Sequence, residues 1–139
     1  MLDAGLLESL YELAARTAEA EAHRSDDGEG VAAAARTQAG IELTGVWIDA
    51  MVDSACLCAE TGPICEAHRL HDPIVASVCV RWTAQAGSVV LPACGVCQER
   101  LAAFGTGVLI AVSRTDASTD YVPLTDLRPS PWWDVVETS

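Results

Sequence analysis

Three cysteines and one glutamate have the types and the spacing to do chemistry. Cys58-Ala59-Glu60 sets a thiol two positions before a carboxylate, and Cys94-Gly95-Val96-Cys97 adds two more thiols further along the chain. Three thiolates are a reasonable ligand set for a catalytic zinc, because three protein ligands leave a fourth position for water. Zinc lowers the pKa of that water toward about 7 and so creates hydroxide at neutral pH. A glutamate two residues from a ligand reaches this water without binding the metal, takes its proton and passes it to a leaving amine. Cys58, Cys94 and Cys97 are therefore the expected ligands of Zn²⁺, and Glu60 the expected proton carrier.

The elements that must position these groups follow from the flanking pattern. Both motifs stand at the start of helix-forming stretches, about residues 59–70 and 95–104. A helix N-terminus carries partial positive charge, which favours thiolate over thiol. Residues 74–82 (IVASVCVRW) read as a buried strand between the two motifs, and 107–113 (GVLIAVS) as a further one. Upstream, residues 2–23 form an amphipathic helix with Leu2, Leu6, Leu10, Leu13 and Thr17 on one stripe. After a loop at Ser25-Asp26-Asp27-Gly28-Glu29-Gly30, strands at 31–37 and 41–48 are joined by a turn at Gln38-Ala39-Gly40. A short strand at 121–123 and a turn at 124–127 precede a proline-rich tail. Helix, hairpin, helix, strand, helix, strand is the order of an α/β protein. The expectation is a three-layer α/β/α arrangement around a mixed five-stranded sheet. With 139 residues, half of them apolar, the chain suits a single domain over 1–139 that packs a core without disulfides.

Composition narrows the partners. The net charge is −12, from 20 acidic residues against 8 Lys and Arg, and no basic patch interrupts it. Such a surface repels phosphate backbones, so a small neutral or cationic molecule is expected as substrate and no nucleic acid. The apolar runs are too short to cross a bilayer, and the N-terminus lacks the pattern of a signal peptide. No membrane and a cytoplasmic location are expected. In a reducing compartment the six cysteines point to metal or redox chemistry rather than disulfides. Cys56 or His68 as a fourth ligand would close the site into a structural one. Cys56 and Cys58, though, point opposite ways on an extended segment. Cys65 and Cys79 read as buried small apolar residues. A thioredoxin-like redox pair at Cys94 and Cys97 would leave Cys58 and Glu60 without a role, and too little chain follows it for that fold.

The paired motifs resemble those of the cytidine deaminase family, including its blasticidin S deaminase branch. Zinc deaminases combine a His or Cys ligand, a nearby Glu and a later Pro-Cys-x-x-Cys. Thr44-Gly45-Val46 is similar to the family's Thr-Gly-Val, and Thr125-Asp126-Leu127-Arg128-Pro129 lies where the family has a Leu-Leu-Pro-type segment. The resemblance covers roughly residues 5–133. It implies hydrolytic deamination of a nucleoside or nucleoside-like amino-heterocycle, cytidine-type first, with Glu60 protonating the ring nitrogen and then the leaving ammonia. It also implies a homo-oligomer, with a homotetramer favoured over a dimer. The alternative is a non-catalytic, zinc-stabilised protein that kept the fold and lost the pocket.

Departures from the family bear on the substrate. The resemblance implies an Asn-x-Glu that reads ribose, and this chain has Trp47-Ile48-Asp49. Asp49 accepts a hydroxyl hydrogen bond, whereas the Trp47 indole only donates. Both are candidate substrate-binding residues; for Trp47 the alternative is a core tryptophan on a strand. Ser25 to Gly30 stands where the family has an aromatic Tyr-Ser-x-Phe-type segment. Ala93 separates Pro92 from Cys94, and Thr61-Gly62-Pro63 replaces an Arg-Thr-Ala-type continuation. Pro is tolerated in a first helical turn but not deeper, so a late start or a bend is expected there. Three thiolates with Zn²⁺ leave about one net negative charge, which Arg100, Arg69 or His68 could offset. Finally, Pro129 and Pro131 stiffen the tail against folding back as a helix. Trp132 and Trp133 are then expected to bury against the core, a partner chain or the pocket, where they would stack on a heterocycle.

Overall fold

The computed structural model describes residues 2–115 and 117–138. Helix α1 (Ala4–Arg24) is capped by Asp3, whose carboxylate accepts the Leu6 N–H at 2.8 Å. Strands β1 (Gly30–Thr37) and β2 (Glu42–Val46) form an antiparallel hairpin. Helix α2 (Thr61–Leu70), strand β3 (Ile74–Thr83), strand β4 (Gly87–Val90) and helix α3 (Gly95–Leu101) follow. Strands β5 (Leu109–Arg114) and β6 (Thr119–Pro123) complete the sheet, before the short helix α4 (Leu124–Leu127) and helix α5 (Trp132–Thr138).

The sheet order is β2-β1-β3-β5-β6, with β3 and β5 parallel and the other neighbours on this path antiparallel. This is the mixed five-stranded path expected from the element order. Strand β4 is a short sixth member that pairs with the far half of β3, Val80 opposite Val90. No described helix is long and apolar enough to cross a membrane.

Alternation along β1 sorts the layers. Ala32 and Ala34 pack with Leu10, Tyr11, Ala14 and Ala18 of α1. Ala35 faces the other side, in a cluster with Ala67 of α2 and with Cys97 and Leu101 of α3. Four successive alanines have high helix propensity, yet here they form the strand sandwiched between helices. Their small size lets the helices approach. A Cβ on Gly30 would stand 2.0 Å from the Ala18 carbonyl oxygen, so α1 and β1 touch backbone to backbone. The same packing turns the buried stripe of α1 toward its alanines: Leu10, Ala14, Ala18 and Ala22 are buried, while Leu6, Leu13 and Thr17 are only half-buried.

Two expectations are corrected. The tail does form a helix, because Pro131 precedes the first helical residue, where its missing N–H costs nothing. Cys65 is exposed, since α2 turns Pro63 and Ala67 inward and position 65 falls on the opposite side. Cys79 on β3 is buried as expected.

Candidate active site

The site is built where two helix starts meet the sheet. Trp47 follows β2 and its N–H bonds to the Val31 carbonyl at 3.0 Å. Ile48 and Leu57 then exchange both backbone hydrogen bonds at 3.0 Å, which closes a loop over residues 49–56. The chain leaves this bridge directly into Cys58, Ala59 and Glu60. Thr61 N–H bonds to the Cys58 carbonyl and Ile64 N–H to the Glu60 carbonyl, each at 3.0 Å. Helix α2 therefore starts at Thr61, two residues later than the sequence suggests, and Pro63 sits in its first turn. Gly45 makes this possible. A Cβ there would lie 2.4 Å from the Ala59 carbonyl oxygen and 2.6 Å from Pro63 Cδ, so only glycine lets β2 lie against the start of α2.

The second motif caps α3. Cys94 is the N-cap residue; its Sγ accepts the Cys97 N–H at 3.5 Å, and its carbonyl accepts the Gln98 N–H at 2.8 Å. Gln98 also donates its side-chain amide to the Ala93 carbonyl at 2.9 Å and holds the loop before the motif.

The three sulfurs of Cys58, Cys94 and Cys97 lie within 4.8 Å of one another, with Cys58 and Cys94 3.6 Å apart. Tetrahedral zinc with Zn–S bonds of about 2.3 Å spaces its sulfurs by roughly 3.8 Å. The cluster fits a metal of that kind, and the soft donor set suits zinc. Glu60 is 5 % exposed, and its Oε2 lies 3.5 Å from Cys97 Sγ, close enough for the thiol to donate. The crowded groups shift one another. Burial pushes the Cys97 thiol up, and the charges of Glu60, Cys58 and Cys94 push it further. Burial and the contact with Cys94 raise Cys58 as well. At Cys94 burial also pushes upward, but hydrogen bonds from Cys97 and Cys58 outweigh it and the thiol ends below its usual range.

Above the sulfurs lies a cavity of about 130 Å³, lined among others by Val31, Trp47, Glu60, Cys79, Leu91 and Cys94. A cavity of about 150 Å³ holds a benzene ring, so this space is of the order of one ring. Val31, Trp47 and Leu91 also line a larger outer chamber of about 620 Å³ that includes Asp27, Glu29, Asp49 and Arg81. Trp47 is thus a wall residue with 43 % of its surface exposed rather than a core tryptophan.

The structure brings Cys58, Glu60, Cys94, Cys97 and Trp47 together and sets Asp49 in the adjoining chamber. Cys56 is turned away from the three sulfurs. Its thiol donates to Asp49 Oδ1 at 3.3 Å, and its sulfur accepts the Ala50 N–H at 3.4 Å. Trp132 and Trp133 are not brought to this pocket. Trp132 donates its indole N–H to Glu99 at 3.0 Å, and the Arg128 guanidinium lies 5.0 Å from the Trp133 ring. Of the candidate counter-charges, Arg100 reaches from α3 to Thr61 Oγ1 at 3.2 Å, whereas Arg69 is tied to Glu66 and His68 packs on Phe104. Cys79, Val31 and Leu91 were not foreseen as pocket residues. For Val31 and Cys79 alternation with core positions on β1 and β3 was the available signal, while Leu91 lies just past β4.

Neither a scan of protein-family models nor a search of curated protein sequences finds a match to this chain. Solved structures do match. The chain is similar to the cytidine deaminase of Bacillus anthracis at 32 % identity and a TM-score of 0.85, covering 96 % of this chain and 94 % of the other. It is similar to the cytidine deaminase of Mycobacterium tuberculosis at 27 % identity and a TM-score of 0.67, over 95 % and 98 % of the two chains. The Burkholderia pseudomallei cytidine deaminase, at 19 % identity and a TM-score of 0.69 over 94 % and 100 %, shares the fold. With the motifs, the sheet order and this likeness in agreement, the chain belongs to the cytidine deaminase family.

Proposed function

We propose that this protein is a zinc-dependent hydrolytic deaminase of a nucleoside or nucleoside-like amino-heterocycle, with cytidine-type compounds the first candidates. The observation that carries this reading is the convergence of three sulfurs and the buried Glu60 carboxylate, with Cys58, Cys94 and Glu60 lining a ring-sized cavity. Cys58, Cys94 and Cys97 would hold the metal. Zinc supplies Lewis acidity there and brings the pKa of water toward about 7. Glu60 takes the proton of the attacking water and delivers it to the ring nitrogen, and in a later step it carries the proton of the added hydroxyl to the departing amine. Water adds at the amine-bearing carbon, the C–N bond breaks, and ammonia leaves as a carbonyl forms. The apolar walls Val31 and Leu91 keep bulk water from the ring, and the Trp47 face offers it a stacking surface. A zinc held for stability alone would have no use for a buried acid beside its ligands. The thiol ligands must stay reduced, in keeping with a cytoplasmic setting.

Homo-oligomerisation is part of the proposal, with a tetramer favoured. The loop over residues 49–56 leaves Met51 and Val52 exposed next to the site, and Trp132 is 59 % exposed, apolar surface that a second copy would cover. Ammonia release across a panel of cytosine, adenine and guanine nucleosides tests the function. Turnover of a cytosine compound supports it, and no release from any member of the panel would count against it.

A further inference from the structure

Glu60 reaches the reacting site on a long side chain, and its backbone place at the start of α2 fixes only one end of that chain. Among the described residues, the hydrogen-bonding neighbours of its carboxylate are thiols. One of them, Cys97, belongs to the set of three sulfurs that would hold the metal. A cysteine binds zinc as thiolate and gives up the proton it would donate. The contact of 3.5 Å between Cys97 Sγ and Glu60 Oε2 is therefore no hydrogen bond once the metal is in place.

Cys79 is the other thiol. It stands on β3, the middle strand of the sheet path, opposite Ala33 of β1. It is 5 % exposed and packs in one cluster with Ala33 and with Ala59, the residue before Glu60. Its side chain lines the inner cavity together with Glu60, Cys58 and Cys94. Yet its sulfur is not one of the three that converge, so metal binding leaves its proton in place. A free thiol is already mostly protonated at neutral pH. Burial pushes Cys79 further up, and the charges of Glu60 and Cys58 and a hydrogen bond with Glu60 add to that push.

We propose that Cys79 is a positioning residue for the reaction: its thiol donates to the Glu60 carboxylate and holds it in the orientation from which it moves protons, while the three other sulfurs hold the metal. This rests on the deaminase reading of the inner cavity. A donor anchored on a buried strand restrains the free end of a side chain whose other end is fixed by α2. Its loss costs orientation and leaves substrate binding alone, so it falls on kcat rather than KM.

The test compares Cys79→Ala and Cys79→Ser in the full-length, metal-loaded protein. Packing alone favours Ala, because a buried cysteine behaves as a small apolar residue and a buried hydroxyl is costly. Positioning reverses that order, because Ser keeps a donor. Both variants should keep one zinc per chain. Cys79→Ala should lower kcat for a cytosine nucleoside about tenfold or more, with KM within about twofold, and Cys79→Ser should recover most of the loss. Infrared difference spectra supply a readout independent of turnover. The S–H stretching band lost in either Cys79 variant should move to higher wavenumber in Glu60→Gln, since a neutral amide accepts more weakly than a carboxylate. An S–H band that Glu60→Gln leaves unmoved, or a Cys79→Ala protein as fast as the wild type or faster than Cys79→Ser, would overturn the proposal. A band that moves as expected in a protein that releases no ammonia from any nucleoside would instead sink the deaminase reading and leave the contact between Cys79 and Glu60 standing.

Discussion

The inner cavity and the outer chamber share Val31, Trp47 and Leu91 but are held in different ways. Around Glu60, positions are set by backbone: a helix start lying on Gly45, a capping sulfur, and a sheet strand of alanines. Around Asp49, positions are set by side-chain hydrogen bonds within loops, the Cys56 thiol on Asp49 and the Ser25 hydroxyl on Asp27. Backbone packing tolerates few substitutions, whereas loop side chains can be exchanged without disturbing the sheet. On the proposed function, chemistry is built on the first kind of support.

If that contrast holds, the sharpest effect is at Glu60. Glu60→Gln should keep the fold and the metal and lower turnover by more than about 10³-fold, since one positioned acid–base group contributes roughly 10²–10⁴-fold and here acts in successive steps. Metal content and steady-state rates on the same preparation check this; retained turnover would remove Glu60 from the chemistry.

Gly45 comes next and tests the backbone support. Gly45→Val forces atoms into the space of the Ala59 carbonyl and Pro63. It should cost about 1–3 kcal/mol of stability and also reduce activity, because the start of α2 carries Glu60. A denaturant midpoint equal to that of the wild type would show that the contact is not needed.

Much of this was legible in the sequence, for physical reasons. Cys58-Ala59-Glu60 and Cys94-Gly95-Val96-Cys97 keep their chemistry within a few positions of a helix start, so local pattern sufficed. The strand at β3 was legible from its run of β-branched residues. Strand β4 was not, because Gly87–Val90 is four residues long and its pairing with β3 is a tertiary fact. The place of Trp47 was open in the sequence for the same reason: a strand-end tryptophan looks alike whether it faces core or cavity. The tail helix was not legible because Pro129 and Pro131 argue against a helix, whereas it begins only beyond them, at Trp132.

A smaller effect concerns the tail. A chain ending at Ser130 loses Trp132 and its bond to Glu99. If the tail lies between copies, sedimentation should show a smaller assembly and turnover should fall severalfold. Identical sedimentation and turnover would remove the tail from the interface between copies.

Smallest of all is the ion pair that borders the outer chamber. The Arg81 guanidinium holds the Glu29 carboxyl below its ordinary value of 4.5. A depressed carboxylate pKa stabilises the fold above its unfolded value, and that contribution is lost as pH falls through the folded one. Both side chains are well exposed, so Glu29→Gln should cost only about 0.5 kcal/mol at neutral pH, and nothing once the pH lies below both values. Thermal melts of the two proteins across pH would show the gap closing under acid; a gap independent of pH would assign it to packing.

X-ray absorption at the zinc edge, with metal stoichiometry on the same sample, bears most directly on the site as a whole. One zinc per chain with three sulfur neighbours and one light-atom neighbour is the expected outcome. A chain that purifies without zinc, or a zinc ringed by four protein ligands, would be incompatible with the catalytic centre described for Cys58, Cys94, Cys97 and Glu60.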